Sequence, residues 1–501
     1  MKIRKKMFLV IVMIVSFMSF GLTMGAYAQK TLVVGVEGDP PHLDHHLWTA
    51  LLTVWVTDPI NDFLVAYNEE MEIVPRIAEK WEFLDDVTFK FYLRKGVKFH
   101  NGREVTAEDV KNSIERILDP TQGSPKRVEL EPISSVETID RYTGIIHLKE
   151  PFAPLLDKLT DVAIVPVEVV KAQGDMKTNP VGCGPFKFKE WKKDAYIELE
   201  KFEGYWQKGL PKIDRLIFKP LPEYSAARAA LLAGDIDILL WAKNFDIPAF
   251  KAYPNLYTVG QKLLGAYYIG FNVKQPPYDN PKVRQAIKYA IDKKACVKSA
   301  AFGYGNPAYV FILKGTPYYS SEFEYKQDIE KAKSLLVQAG YPDGFKDVLV
   351  TPLTPVEGPL GELAQSQLKN IGINLDVQKL EVATYIDRVF NKKDFGIMIC
   401  GDTATGDPDV LLRRYFYSKS PRNIFNYKNP EVDRLLDKAR TTYDFEKRKQ
   451  LYKEVGKILI EDSPMIMLFQ PMRFSACQNY VKGFVFKPNL RYEFKNVTLE
   501  K

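Results

Sequence analysis

Three histidines stand close together near the amino terminus, and their side chains could bind a metal. Neutral imidazole is a good ligand for nickel, zinc and copper, so His42, His45 and His46 form a candidate metal or metal-chelate site. The cluster has no fourth ligand at a recognisable spacing, and the same residues would also fit an ordinary loop. Metal binding is therefore an alternative interpretation, and no cofactor is predicted.

Motifs for enzymatic chemistry are absent from the sequence. It has no G-x-S-x-G turn, no H-E-x-x-H helix, no G-x-x-x-x-G-K-[ST] loop and no C-x-x-C pair. A strand pattern rather than a helix follows Gly182-Cys183-Gly184, which argues against a nucleotide-binding loop. The sequence therefore predicts a binding protein and not an enzyme, with an exported hydrolase as the weaker alternative.

The most informative polar stretch is ICGDTATGDPD, residues 399–409, which contains Asp402 and Asp407. It follows a predicted strand and precedes the apolar residues 410–412. A carboxylate at such a place can bind a buried ammonium group, because charge-assisted hydrogen bonds are the strong ones. An aspartate here could equally cap a turn.

Length and composition indicate a large soluble protein. The chain has 501 residues, enough for two or three domains, with 46% hydrophobic and 27% charged residues. Four of the basic residues behind its net charge of +7 lie in the first six positions. The remaining charge is too weak and too scattered to predict binding to nucleic acid.

Residues 1–28 are typical of a secretory signal peptide. Basic residues come first, an apolar run over 7–22 follows, and Ala26-Tyr27-Ala28 is an A-x-A-type cleavage site. We expect cleavage near Ala28 and export, which means the periplasm in a source with two membranes. Because no cysteine follows the cleavage site, a lipoprotein is not expected.

Four cysteines are spread widely along the chain. An exported protein can oxidise its thiols, but wide spacing does not suggest a metal site, and four cysteines can pair in three ways. We expect one disulfide or none among Cys183, Cys296, Cys400 and Cys477.

The strongest pattern lies in residues 75–118. It reads PRIAEKW, then the alternating strand and turn TFKFYLRKGVKFHNG, then TAEDV at the start of a helix. Thr106 and Asp109 form a capping box for that helix, whose apolar stripe includes Val110 and Ile114. These sequence segments resemble the signature of the family 5 extracellular solute-binding proteins of ABC importers, which include oligopeptide-, dipeptide- and nickel-binding proteins. Similar phrases are NPVGCGPF at 179–186 and LLAGDID at 231–237.

The resemblance implies an α/β, bilobal fold of the periplasmic-binding-protein type (type II), with an enlarged lobe I that carries an extra subdomain. The chain would cross between the lobes twice. The implied segments are 29–267 for lobe I with a subdomain at 61–200, 268–471 for lobe II, 472–501 for the return to lobe I, and hinges near 265–273 and 468–474. The 3.6-residue period of 328–339, 359–371, 430–443 and 445–461 independently predicts helices in the second half.

The resemblance also implies a ligand site. In peptide-binding members a carboxylate holds the peptide's amino terminus. Asp402 matches that position best, and Asp407 competes because the loop is longer here. Dipeptide-binding members have an arginine for the ligand carboxylate in the segment corresponding to 351–360, and this chain has none there. This departure argues against strict dipeptide recognition and leaves a longer peptide, another amine or a neutral oligosaccharide open.

Other predicted ligand contacts are aromatic side chains and the glycine-rich loop. Trp241 follows a predicted strand at its carboxyl end, where open α/β sheets bind ligands. The further predicted contacts are Tyr267, Tyr268, Trp48, Gly182, Cys183 and Gly184. The implied partners are a small solute, most simply a peptide, and an ABC permease in the cytoplasmic membrane. The protein itself is expected to be a monomer.

Overall fold

A computed structural model describes residues 29–501 except 49, 174, 404 and 405. The predicted signal peptide therefore lies outside the described residues. Within the described part of the chain, none of the helices is both long enough and apolar enough to cross a membrane.

Strands and helices alternate along most of the chain. The strands are β1 (Thr31–Val36), β2 (Val65–Tyr67), β3 (Ile73–Pro75), β4 (Ala78–Asp85), β5 (Thr88–Leu93), β6 (Ile133–Asp140), β7 (Thr143–Leu148), β8 (Phe186–Lys192), β9 (Tyr196–Lys201), β10 (Arg215–Pro220), β11 (Ile238–Ala242), β12 (Leu256–Lys262), β13 (Gly265–Phe271), β14 (Gly305–Pro307), β15 (Phe345–Pro352), β16 (Ile373–Leu380), β17 (Ile397–Thr403), β18 (Met465–Gln478), β19 (Val481–Lys482), β20 (Val485–Phe486), β21 (Tyr492–Glu493) and β22 (Thr498–Leu499). The α-helices are α1 (Leu51–Thr57), α2 (Ala107–Leu118), α3 (Arg127–Leu130), α4 (Leu155–Leu159), α5 (Val167–Gln173), α6 (Tyr224–Ala233), α7 (Ile247–Ala252), α8 (Pro281–Ala290), α9 (Lys293–Ala301), α10 (Ile329–Gln338), α11 (Glu357–Lys369), α12 (Val382–Ile386), α13 (Asp409–Phe416), α14 (Pro430–Arg440) and α15 (Phe445–Asp462).

One long strand, β18, belongs to both halves of the molecule. Its first half pairs with β13 and β14, and its second half pairs with β11 and β12. The complete order is β16-β15-β17-β13-β18-β11-β1-β10-β9-β8. We call residues 29–262 with 472–501 lobe I, and residues 265–471 lobe II. The chain thus passes between the lobes at 263–264 and again at 471–472, where Leu263 donates to the Pro471 carbonyl at 3.0 Å.

The central strands are apolar because both of their faces are covered. In β1, Leu32, Val34 and Val36 are buried, and the strand pairs in parallel with β10 on one side and β11 on the other. In lobe II the predicted helices are present as α10, α11, α14 and α15. Together the two lobes form the bilobal α/β fold that the sequence predicts.

A small antiparallel sheet, β4-β5-β7-β6, carries the stretch that gave the family resemblance. Helix α2 covers this sheet and begins with the predicted capping box of Thr106 and Asp109. Its stripe, including Val110 and Ile114, is fully buried against the sheet. The sequence therefore predicted this unit correctly down to its cap.

All four cysteines have free thiols in this structure. Cys183, Cys296 and Cys477 are buried in the cores, and Cys400 lies half-buried in β17. Burial raises the pKa of Cys296 and of Cys477 to about 12, so these thiols are unreactive at neutral pH.

Candidate ligand-binding site between the lobes

A cavity of about 290 Å³ lies between the two lobes. Lobe II contributes Thr403, Gly406, Val410 and Arg414 to its wall, and lobe I supplies most of the rest. Its volume is at the lower end of the range of about 300 to 1,000 Å³ that is usual for small-molecule sites. The size therefore favours a small solute over a long chain.

One part of the wall is a group of charges that neutralise one another. Arg491 donates hydrogen bonds to both Asp58 and Asp161, and the Lys126 ammonium lies 3.0 Å from Asp161 Oδ2. Burial raises the pKa of Asp58. Burial also acts to raise the pKa of Asp161, but Lys126 and Arg491 outweigh it and hold that pKa well below its ordinary value. These contacts tie Arg491 to Asp58 and Asp161 and fix this part of the cavity wall.

The C-terminal hairpin of β20 and β21 places its loop, residues 487–491, in the cavity. Trp55 Nε1 donates to the Leu490 carbonyl at 2.9 Å and anchors the loop. The Lys487 ammonium donates to the Tyr67 carbonyl and to Glu493 Oε1, both at 2.6 Å. The sequence analysis missed this loop, although Pro488-Asn489 between two short strands was an available turn signal.

The short helix α4 brings Asp157 and Lys158 to the opposite part of the wall. The Tyr67 hydroxyl donates to Asp157 Oδ1 at 2.5 Å, while the Lys158 ammonium lies 3.2 Å from Asp157 Oδ2 and 3.3 Å from Glu129 Oε2. Burial raises the pKa of Asp157. Burial works against the charge on Lys158, but Asp157 and Glu129 raise its pKa above the ordinary value. Sequence reasoning found no signal at these two residues.

Four buried polar atoms of residues in the cavity wall have no hydrogen-bond partner among the residues that the structure describes. They are Trp48 Nε1, Asp157 Oδ2, Lys158 Nζ and Asn489 Oδ1. Buried polar atoms are normally hydrogen-bonded, and leaving one unsatisfied costs about 1–3 kcal/mol. Asp157 Oδ2 and Lys158 Nζ form an ion pair at 3.2 Å but no hydrogen bond, and Trp48 Nε1 and Asn489 Oδ1 add one donor and one acceptor that a polar solute could satisfy.

The predicted carboxylates Asp402 and Asp407 are both occupied by arginines of lobe II. Asp402 accepts from Arg414 Nη1 at 2.9 Å and from the Tyr415 hydroxyl. Asp407 accepts two bonds from the Arg448 guanidinium, at 2.5 and 2.9 Å, and lies in the lobe II interior. Arg414 lines the cavity, whereas neither aspartate does.

The glycine loop lies behind the cavity wall. A Cβ on Gly184 would sit 2.6 Å from the Asn61 carbonyl oxygen, and one on Gly182 would collide with that of Ile60. Cys183 is fully buried, and burial raises its pKa well above the ordinary value. These residues allow two chain segments to pack closely, while the adjoining Pro185 and Phe186 reach the cavity.

Of the predicted aromatic contacts, Trp48 lines the cavity and the other three do not. Trp241 packs against Trp55 at 5.4 Å between ring centroids, and the Arg473 guanidinium carbon lies over the Trp241 ring, 4.1 Å from its centroid. Tyr267 stacks on Phe469, and burial raises its pKa to about 12. Tyr268 is fully buried in the lobe II core. These three residues hold the strands behind the site.

The three histidines are not arranged as metal ligands. His45 Nδ1 lies 2.9 Å from Thr57 Oγ1, and His46 Nε2 lies 2.7 Å from the Ala163 carbonyl. His42 Nδ1 accepts from the Asp44 main chain at 3.2 Å. Burial lowers the pKa of His45 to about 3 and that of His46 to about 4. Among the described residues no group of three or more His, Cys, Asp or Glu side chains could hold a metal ion, so the metal interpretation gains no support.

Two lobes with a polar cavity between them define the class of extracytoplasmic solute-binding proteins. The profile of the family described as "Bacterial extracellular solute-binding proteins, family 5 Middle" matches residues 72–423. The chain belongs to this family of ABC-importer binding proteins, as its residues 75–118 predicted.

Similar proteins include binding proteins for several small solutes. The glutathione-binding protein GsiB of Escherichia coli K12 is 30% identical over 489 residues, which cover 95% of this chain and 96% of GsiB. AgaA of A. tumefaciens R10, solved with agropinic acid, is 30% identical with a TM-score of 0.78, covering 94% and 99% of the two chains. DppA of Helicobacter pylori, solved with the peptide STSA, is 28% identical with a TM-score of 0.79, again covering 94% and 99%. These relatives are solute-binding proteins rather than enzymes.

Proposed function

We propose that this protein is the exported, periplasmic binding component of an ABC importer for a small peptide or peptide-like solute. It would act as a monomer, without a lipid anchor, after cleavage near Ala28. The observation that carries the proposal is the cavity between the lobes, whose wall holds four buried polar atoms without a hydrogen bond in the described part of the chain. The permease partner follows from family membership.

The charges of the wall support a solute that carries both signs. The ionisable side chains that line the cavity are Asp58, Glu129, Asp157, Asp161, Glu493, Arg76, Lys158, Arg414, Lys487, Arg491 and Lys495. A wall with this mixture would leave charges unpaired around an apolar ligand and gains little from a neutral sugar. It suits the ammonium, carboxylate and amide groups of a peptide.

Hinge closure is the proposed mechanism. The solute would bind first on lobe I, and rotation about the two crossing segments at 263–264 and 471–472 would bring the lobe II wall over it. Outside the cavity wall, Tyr443 of lobe II accepts from the Phe152 amide at 3.0 Å and donates to the Asp86 carbonyl at 2.8 Å. Such contacts stabilise the closed form without touching the solute.

Calorimetric titration of residues 29–501 tests the proposal. The panel is dialanine, trialanine and glutathione, with maltotriose and Ni²⁺ as the alternatives. We expect micromolar affinity, about −8 kcal/mol, for at least one of the three peptides and none for the sugar or the metal. Binding of maltotriose or Ni²⁺ with no response to any peptide would refute the proposal.

Mass spectrometry under native conditions supplies a second measurement on the same protein. A co-purifying solute with a free amino group and a free carboxyl group is expected, and collision-induced release should give its mass. A neutral carbohydrate in that position would contradict the peptide assignment.

A further inference from the structure

Most charges around the cavity cancel within small groups. Arg414 pairs with Asp402, and Arg76 pairs with Asp62 at 2.9 Å. The group of Asp58, Asp161, Arg491 and Lys126 holds two charges of each sign. Two groups do not balance. We call Glu129, Asp157 and Lys158 the acidic end of the cavity, and Lys487, Glu493 and Lys495 its basic end.

The acidic end has two carboxylates around one ammonium. Lys158 sits between Asp157 and Glu129, which leaves one uncompensated negative charge. Asp157 is only 6% exposed and belongs to the cavity wall, and within the described residues its Oδ2 accepts no hydrogen bond and lies only beside the Lys158 ammonium, at 3.2 Å. Removing a carboxylate from water without full compensation is costly, so a further cation at Oδ2 would stabilise this end.

The basic end has the opposite imbalance. Glu493 lies beside the ammonium groups of both lysines. The Lys487 ammonium already donates hydrogen bonds to Glu493 and to the Tyr67 carbonyl. The Lys495 ammonium lies 3.8 Å from Glu493 Oε2 and donates no hydrogen bond within the described chain. Its side chain is 12% exposed, and burial together with the nearby Arg76 lowers its pKa to about 8. An anion beside Lys495 would satisfy this ammonium.

Tyr67 connects the two ends of the cavity. Its carbonyl accepts from Lys487 of the basic end, and its hydroxyl donates to Asp157 of the acidic end. Both ends line the same cavity of about 290 Å³, so one small solute with a charged group at each end could contact both.

We propose that the solute is a short zwitterion whose cationic group binds Asp157 and whose anionic group binds Lys495. This inference rests on the proposed function and narrows it to di- or tripeptides and similar amino-acid conjugates with both charges free. It also assigns the ammonium to lobe I, not to Asp402 or Asp407 of lobe II.

End-blocked ligands test the inference without altering the protein. The tightest binder among dialanine, trialanine and glutathione is compared with its N-acetylated and C-amidated forms by calorimetry. Loss of the partner charge at a buried site is expected to weaken binding roughly 10- to 100-fold for each block. If the wild type binds none of the three free peptides, the proposed function itself fails. If it binds free and blocked forms equally, only the zwitterion inference fails.

Variants then assign each end. In Asp157→Asn, binding of the free peptide should fall to that of the acetylated peptide, and acetylation should cost nothing further. In Lys495→Gln, binding of the free peptide should fall to that of the amidated peptide, and amidation should weaken binding no further. The control Lys482→Gln removes an exposed lysine that does not line the cavity, so acetylation and amidation should each weaken binding as in the wild type. In Asp402→Asn the acetylation penalty should persist. If acetylation no longer weakened binding in Asp402→Asn but still weakened it in Asp157→Asn, the assignment of the ammonium to Asp157 would be overturned.

Discussion

Asp407 and Asp157 are equally buried, each 6% exposed, yet their surroundings differ in one respect. Asp407 in lobe II accepts two bonds from Arg448 and a third from the Asp409 amide at 2.9 Å, and Arg448 also donates to Tyr318 and Tyr452. Asp157 in lobe I receives one hydrogen bond, from Tyr67, and within the described residues its second oxygen has only the Lys158 ammonium at 3.2 Å and no hydrogen bond. One carboxylate has a complete set of partners and the other does not.

The contrast separates a structural charge from a binding charge. A buried ion pair whose hydrogen bonds are all made within the chain holds its elements together, and here it ties α15 to the loop before α13. A buried carboxylate that lacks a hydrogen-bond donor destabilises the ligand-free protein and becomes favourable only when a solute supplies the missing donor. The two residues should therefore respond oppositely to the same substitution.

The largest effect is expected for Asp407→Asn, which leaves the Arg448 guanidinium buried without its partner. We expect a loss of about 3–5 kcal/mol in the free energy of unfolding, because breaking a buried pair exposes one uncompensated charge. Asp157→Asn should leave the ligand-free protein as stable as the wild type or more stable. Urea unfolding followed by tryptophan fluorescence measures both.

The double variant Asp407→Asn/Arg448→Met sharpens the same test. Since the two side chains act as one unit, the double change should cost no more than Asp407→Asn alone. Equal destabilisation by Asp407→Asn and Asp157→Asn would remove the distinction between the two carboxylates.

The buried histidines of lobe I give the next largest effect. The folded-state pKa of His45 is about 3 and that of His46 about 4, below the unfolded value of about 6.5. The unfolded chain therefore takes up protons first as pH falls. Stability is complete above pH 6.5 and is lost on acidification, by roughly 1–3 kcal/mol per imidazole at pH 4.5.

Urea midpoints measured between pH 7.5 and pH 4.5 check this sign. His45→Gln should flatten the pH dependence, whereas His147→Gln, which replaces a half-exposed imidazole bonded to Glu137, should leave the slope unchanged. A wild-type protein that grows more stable towards pH 4.5 would contradict the neutral state of these buried rings.

Local patterns predicted the fold well, and they failed where partners come from distant parts of the chain. The capped helix α2 and the helix α10 follow from neighbouring residues, and both are present as predicted. The wall of the cavity does not follow from neighbouring residues, because Asp161 and Arg491 are 330 residues apart in the sequence. Asp402 was predicted to bind the solute, but it does not line the cavity, and nothing near it in sequence showed that Arg414 would occupy it.

The smallest predicted effect concerns the contact between Tyr67, whose hydroxyl donates to Asp157, and Gly406 of lobe II. A Cβ added to Gly406 would lie 2.5 Å from the Tyr67 hydroxyl oxygen and 2.7 Å from Tyr67 Cζ. Because Asp157 holds this hydroxyl, Tyr67 cannot move aside freely, and Gly406→Ala should keep lobe II from closing fully over the solute. Overpacking of this kind costs about 1–3 kcal/mol, which predicts roughly 10-fold weaker solute binding.

The position of the clash decides which property changes. The open form separates Gly406 from Tyr67, so ligand-free stability should match the wild type, and X-ray scattering with saturating peptide should give a larger radius of gyration for the variant. Gly358→Ala is the matched lobe II control, because its Cβ would meet only Lys379 side-chain carbons at 3.7 and 3.8 Å. Undiminished affinity in Gly406→Ala would mean that the solute is held without the close approach of Gly406 to Tyr67, and Asp157 would then act without help from lobe II.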